Sequence, residues 1–258
     1  MTDLIRVFIG CAPDGHDAES QAVLEHSIRS RCSARVEINW MIATRRPGSF
    51  WSGWDMQNWA TPFSGFRWAV PLACGFIGRA IYMDSDLIVV GDLADLWRMD
   101  LKSGQVAAAR NPFRFCVTLW DCEAARPHML RFLDLQSADG HSRQSRYFAT
   151  HQGLVKSFGS LWNYLDTEDR GPFANVVHYT DLSTQPQLNH ALARLAHFRQ
   201  KHWYDGPRRP HPRPEITALF EAELAAATRA GYRWENYIPE ETFGPILKRT
   251  MTGYRATG

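Results

Sequence analysis

Two carboxylates, Asp84 and Asp86, stand inside the run Ile81-Tyr-Met-Asp-Ser-Asp-Leu-Ile-Val-Val90. Apolar residues enter this run and apolar residues leave it, so the chain has to place charge against a core. An unpaired buried carboxylate is costly, and such acids are normally paired, hydrogen-bonded or metal-bound. In an extended chain, side chains two apart point to the same face. Asp84 and Asp86 are therefore predicted to project together at a strand end, with Ser85 turned the other way. Two hard oxygen donors side by side suit Mg²⁺ or Mn²⁺. The plainer reading is a solvated turn between two short strands. That reading suits an Asp-x-Asp in polar surroundings better than one flanked by Tyr82, Met83 and Leu87 to Val90, because unpaired buried acids are rare.

The rest of the chain supplies an α/β frame for this run. Ile5-Arg-Val-Phe-Ile9 reads as a buried strand broken at Gly10. Asp17 is a candidate N-cap for a helix to about Arg31, with Val23, Leu24 and Ile28 as its buried stripe. Val36, Ile38 and Trp40 alternate as a second strand. Strand, helix, strand predicts a βαβ unit and a parallel sheet, whose ligands bind at the carboxyl ends of the strands. That places the loop Gly10 to Asp14 at a binding edge. Further strands are predicted at Val106 to Ala109, Phe115 to Leu119 and Asn175 to Tyr179. Helices are predicted at Phe63 to Cys74 (distorted by Pro71), from Asp92 to Trp97, at Ala124 to Leu135 (Met129, Leu130 and Leu133 inward), at His151 to Phe158 and at Glu215 to Ala230. Thr44 to Pro62 and Gln136 to Arg146 read as loops. The first carries Trp51, Trp54 and Trp59, which either pack onto the body or stack on a substrate.

The totals exclude several classes. The chain has 258 residues, 45% hydrophobic and 22% charged, which is ordinary for one domain or one domain with an appendage. A formal net charge of +2 gives no argument for nucleic acid. The five cysteines are scattered without a Cys-x-x-Cys pair, so they read as small buried hydrophobes in a reducing cytosol. No signal peptide and no apolar run of spanning length is read from the sequence, so the expected location is cytoplasmic. The segment Arg199 to Arg213 is basic and broken by three prolines, a linker or an anion-facing surface. The tail beyond it mixes aromatics with basic residues. It either packs on the body, the favoured reading, or touches the inner face of a membrane peripherally.

Several motifs then line up in order: Gly10-Cys-Ala-Pro-Asp14, Phe63-Ser-Gly-Phe-Arg-Trp-Ala-Val-Pro71, Tyr82 to Trp97, Phe115-Cys-Val-Thr-Leu-Trp-Asp-Cys122, Leu161-Trp-Asn163 and Val177-His-Tyr-Thr-Asp181. Over about the first three quarters of its length the chain resembles the family 8-like glycosyltransferases. Tyr82 to Trp97 is the most specific part of the match and the His178 strand the second. The resemblance implies a GT-A-type, Rossmann-like sandwich with a mostly parallel central sheet. Residues 1–198 would form the nucleotide-sugar-binding and catalytic domain, and residues 199–258 a basic, aromatic, helical extension packed on it. It implies a retaining transferase that moves a sugar from a UDP-sugar to a saccharide or lipid-linked acceptor in surface glycan synthesis, with Mn²⁺ (or Mg²⁺) as cofactor. Asp84, Asp86 and His178 would hold the metal. Arg67 would contact the donor sugar or phosphate, the backbone of Gly10 and Cys11 would line the base pocket, and Asp14, Asp84 and Ser85 would complete the donor site.

The match also has departures. Ala12 stands where the family often has an acid. Thr150-His-Gln-Gly153 stands where the family carries an Asp-Gln-type pair facing the reacting carbon, so Gln152 and His151 join Asp84 as the catalytic assignments. Gln185-Pro-Gln187 replaces a Lys-Pro-Trp, which removes a phosphate-binding lysine. These three changes motivate a second reading, a catalytically degenerate module that holds a nucleotide sugar or a partner. A nucleotidyltransferase would want a basic phosphate loop after the first strand, and Gly10 to Asp17 has no basic residue.

Overall fold

The computed structural model describes residues 4–168, 174–181, 184–186 and 209–244. These form the strands β1 (Ile5–Cys11), β2 (Val36–Ile42), β3 (Arg79–Asp84), β4 (Leu87–Val89), β5 (Ala107–Asn111), β6 (Arg114–Asp121), β7 (Val155–Ser157), β8 (Tyr164–Leu165) and β9 (Val176–His178). The helices are α1 (Ala18–Arg31), α2 (Val70–Ala73), α3 (Leu93–Trp97), α4 (Cys122–Ala125), α5 (Phe132–Gln136), α6 (Gly140–Thr150) and α7 (Pro214–Arg229). β1 is buried along nearly its whole length, as a strand covered on both faces must be. It pairs in parallel with β2 and with β3. β6 then runs antiparallel between β3 and β5, and β7 pairs in parallel with β5, giving the order β2-β1-β3-β6-β5-β7. A second small sheet, β4-β9-β8, stands beyond the end of β3.

The period-two alternation of the central strands sorts the core into two layers. Phe8, Tyr82 and Trp120 face one way, into an aromatic layer with Trp54, Trp59, Phe66, Trp68 and Phe148. Ile5, Val7, Ile9, Ile81, Met83, Val117 and Leu119 face the other, against Leu24 and Ile28 of α1. Trp54 and Trp59 are 7% and 2% exposed, so these tryptophans of the long loop pack onto the body, and the loop is held by its own aromatic rings.

Local readings failed where proline or a short loop overrode periodicity. The helix predicted over Ala124 to Leu135 is broken into α4, a 3₁₀ turn over Arg126–His128 and α5, because Pro127 removes a backbone donor. Leu133, predicted inward, is 78% exposed. The predicted loop Gln136 to Arg146 contains most of α6, and the predicted helix His151 to Phe158 is a 3₁₀ turn followed by β7. Phe63 to Cys74 is a 3₁₀ turn (Phe66–Trp68) and one turn of helix, with Pro71 at its start.

Residues 209–244 lie against the first βαβ unit. Glu223 of α7 is buried and accepts from Arg31 Nη2 at 2.6 Å and bonds His26 Nδ1 at 2.6 Å. Tyr232 meets the His26 ring edge-on, and Tyr237 meets Trp40 edge-on while its hydroxyl donates to Glu25. These tail aromatics pack on the body. Arg199, Lys201 and Arg208 of the basic segment lie outside the described residues, as do Gln187 and Tyr254. Among the described residues, no helix is long and apolar enough to cross a membrane.

Candidate active site at the end of strand β3

β3 ends on Asp84, and the strand period puts Tyr82 on the same face. The Tyr82 hydroxyl donates to Asp84 Oδ1. Burial, and after it the Asp84 charge, raises the Tyr82 pKa well above its usual value, so Tyr82 remains a donor. Arg67, from the 3₁₀ turn, donates through Nη2 to both Asp84 oxygens at 3.0 and 3.3 Å, and its Nε is fixed on Ser64 O at 2.8 Å. Gly10 pairs with Asp84 in the β1–β3 register. A Cβ there would come within 2.8 Å of the Tyr82 hydroxyl and 3.1 Å of the Phe63 ring, so only glycine lets the strands close over this group.

Asp86 stands in the bend between β3 and β4, and Ser85 before it donates to Asp17 Oδ2 at 3.0 Å. Gln185 Nε2 donates to Asp86 Oδ2 at 3.1 Å. Asp86 Oδ1 lies 3.2 Å from His178 Nε2 but is buried without an aligned hydrogen bond. His178 is placed by the antiparallel pairing of β4 with β9, in which Leu87 faces His178. Its Nδ1 bonds Asn163 Oδ1 at 3.0 Å; since that oxygen only accepts, the proton sits on Nδ1 and Nε2 turns toward the acids. Burial works against a charged ring here, but Asp86 and then Cys116 outweigh it and hold the His178 pKa well above its ordinary value. Arg67 and a protonated His178 thus balance the two acids.

Cys116 is the unforeseen member. It stands on β6 one residue from Val117, which pairs with Met83. Ligand atoms of Asp84, Cys116 and His178 all lie within 4.8 Å of one another, and Arg67 Nη1 approaches the sulfur at 3.6 Å. A convergent carboxylate, imidazole and sulfur, beside an orphaned buried oxygen of Asp86, fit a divalent cation.

The structure therefore brings Arg67, Asp84, Asp86 and His178 together, and adds Tyr82, Cys116, Asn163 and Gln185. Tyr82 could have been found from the strand period. The other three needed the strand pairing and the return of β9. The side chains of the remaining donor-site assignments make contacts of their own. Cys11 is wholly buried, with its thiol on Ile9 O, and burial followed by Asp17, Asp84 and Asp86 pushes its pKa well up. Ser85 is spent on Asp17. The Asp14 carboxylate accepts from the backbone N–H of Phe243 and of Gly244, so the far end of the chain clamps the first loop. Between that loop, the end of β2 and residues 239–243 lies a cleft of about 310 Å³, at the carboxyl edge where the βαβ rule placed a ligand.

His151 and Gln152 require a correction. They precede Val155, and Val155 is level with Ala107, Trp120 and Ala80 across the sheet. Asp84 lies four residues further along β3, about 13 Å in the strand direction, and three strand spacings, about 14 Å, to the side. Both residues are exposed, with His151 Nδ1 on Tyr147 O and Gln152 Nε2 on Ala149 O. They open β7 at its amino end, on the edge opposite Asp84, and cannot share its reacting atom. Sequence spacing misled because α6, which carries the chain between the two edges, was read as loop.

Beside Arg67 sits His141, on the first turn of α6. Its Nδ1 accepts from Trp68 Nε1 at 2.8 Å, and burial with the Arg67 charge brings its pKa down to about 3. Folded His141 therefore stays neutral where an unfolded chain binds a proton, so stability is lost as pH falls from 6.5 toward 3. The contribution reaches up to about 1.4 kcal/mol per pH unit. Urea titrations at stepped pH should show this slope, and His141→Gln should flatten it; an unchanged slope would show that the ring is not held neutral.

The fold so assembled is that of the GT-A class. It superposes on the galactosyltransferase LgtC in complex with donor and acceptor sugar analogues, with a TM-score of 0.58 at 12% identity, over 86% of this chain and 96% of that one. It superposes on the bifunctional glycosyltransferase WbbM (TM-score 0.52, 13% identity, 69% of this chain) and on apo GlyE of Streptococcus pneumoniae TIGR4 (0.53, 14%, 93% of this chain). The chain spans 46% of the WbbM chain and 65% of the GlyE chain. Residues 66–170 match the family described as Glycosyl transferase family 8, a segment that holds Arg67, Asp84, Asp86, Cys116 and Asn163. The matched segment is the part of the chain that carries the acid pair. No curated protein sequence matches it.

Proposed function

We propose that this chain is a metal-dependent, retaining glycosyltransferase that moves a hexose from a UDP-sugar to a saccharide or lipid-linked acceptor, in cytoplasmic assembly of a surface glycan. Residues 1–198 act as the nucleotide-sugar and catalytic unit, and residues 199–258 as an extension, of which 239–243 line the cleft. The observation that supports this most is that His178 lies beside both acids at the carboxyl end of β3, 3.2 Å from Asp86 and in one cluster with Asp84, and both acids fall inside the matched segment 66–170. LgtC, with the same fold, has been captured with donor and acceptor sugar analogues together.

In this reading Asp84, Asp86 and His178 hold Mn²⁺. When bound, the ion supplies Lewis-acid neutralisation of the leaving diphosphate. Arg67 adds a fixed positive charge 3.0 Å from Asp84, preorganised for the charge that develops as the glycosyl bond breaks. Gln185 and Asn163 orient Asp86 and His178, and the wall built by Phe63 and Tyr82 keeps water off the Asp84 side. Retention of configuration is carried from the family resemblance, and no enzyme nucleophile is assigned.

The test is thermal melting with UDP and UDP-sugars, with Mn²⁺ and with a chelator. At a hundred times its dissociation constant a ligand adds about 2.7 kcal/mol. A UDP shift that requires Mn²⁺ is the expected result. A shift indifferent to the metal would sink the metal assignment. Binding of a UDP-sugar without transfer or slow donor hydrolysis would favour the degenerate module suggested by Ala12.

A further inference from the structure

The ligands assigned to Mn²⁺ above, Asp84, Asp86 and His178, are oxygen and nitrogen donors. Resting on that reading, we propose that Cys116 is a further metal ligand, giving the site a sulfur donor and a preference for Zn²⁺ or Co²⁺ over Mg²⁺.

Three observations carry this. The Cys116 sulfur, an Asp84 oxygen and a His178 ring nitrogen lie within 4.8 Å of one another, a separation that one ion can bridge. Asn163 occupies His178 Nδ1, which leaves Nε2 as the nitrogen turned toward this cluster. Cys116 is only partly buried, so it is accessible to an ion from solvent. Cys11 shows the contrast: it lies near the same acids but is sealed in the core with its thiol on a backbone carbonyl. A carboxylate, an imidazole and a thiolate form a donor set suited to borderline ions, whereas Mg²⁺ demands oxygen and water. Ligation replaces the S–H bond of Cys116 and the Nε2–H bond of protonated His178 with bonds to the metal and releases both protons to solvent.

The experiment titrates the full chain with Co²⁺ alone and reads its absorption. A sulfur-to-cobalt charge-transfer band in the near ultraviolet is expected. Cys116→Ser should abolish it and weaken Zn²⁺ in a chelator competition at least about tenfold, the lower end of what losing a supporting group costs. Mg²⁺ affinity should be unchanged. Cys32→Ser, at the far end of α1, should keep the band. Cys116→Ala serves as the second variant should the serine protein fail to melt cooperatively. If the wild type binds Co²⁺ without that band and Cys116→Ser binds Zn²⁺ equally well, the sulfur ligand is refuted while the cation site stands. If Co²⁺, Zn²⁺ and Mn²⁺ all fail to bind, the cation reading itself falls and this inference with it.

Discussion

Asp84→Asn is expected to lower sugar transfer by on the order of 10²–10³-fold, and to lower stability by about 3–5 kcal/mol. Both effects have one origin. The Arg67 and Asp84 side chains are 12% and 7% exposed, so each is the other's main compensation in a region that water barely reaches. Asparagine keeps the oxygen that accepts from Tyr82 but not the charge that answers Arg67. Breaking a buried pair from one side leaves an uncompensated charge, which costs far more than the pair's net worth. At roughly 2–4 °C per kcal/mol for a domain of this size, the melting temperature should fall by about 10 °C. The double variant Arg67→Met, Asp84→Asn should recover most of that loss and none of the turnover. A single variant that melts like the wild type would mean that the pair carries no stability. One that still transfers sugar at the wild-type rate would remove Asp84 from the chemistry.

Trp68→Ala should cost about 3–5 kcal/mol, the range for deleting a large buried aromatic. Trp68 is 1% exposed and stacks on Phe148 at 5.5 Å with the planes 9° apart, while Phe115 and Trp120 close its other sides. It follows Arg67 directly, so the cavity would open beneath the residue that pairs with Asp84. Trp68→Phe separates two contributions. It keeps most of the ring volume but removes the donor to His141, leaving a covered nitrogen unpaired at about 1–3 kcal/mol. Equal losses in the two variants, read from urea midpoints, would show that packing contributes little and the hydrogen bond nearly everything.

How far the sequence could be read depended on how local each signal was. The first βαβ unit followed from residues adjacent in sequence: the apolar run at Ile5 to Ile9, the stripe on α1 and the alternation at Val36, Ile38 and Trp40 all correspond to observed elements. Asp84 and Asp86 were legible because two acids stand between apolar runs that both become buried strands. Cys116 was not, since its importance comes from lying beside β3 in an antiparallel pairing that no local pattern announces. Gln185 looked like a lost phosphate lysine until the chain's return put its amide on Asp86. His151 and Gln152 were misplaced for a related reason. A motif was matched across a stretch whose helix had not been recognised, and that helix carries the chain from one edge of the sheet to the other. Asp17 was rightly placed before α1, but its carboxylate serves the Ala12 backbone and Ser85 rather than the helix end.

The cation cradle draws on Arg67, Asp84, Cys116, Asn163, His178 and Gln185, which enter the growing chain in that order. A ribosome releases a domain from its N-terminal side. β1, β2, β3 and β6 can pair before Asn163 exists, so for part of synthesis Asp84 is held by Arg67 and Tyr82 while Asp86 has neither His178 nor Gln185. The nascent sheet can therefore form well before the cradle does. A cation held by this group would be captured only after Gln185 has been made, and the Arg67 contact acts as an internal counter-ion that lets the sheet close without it.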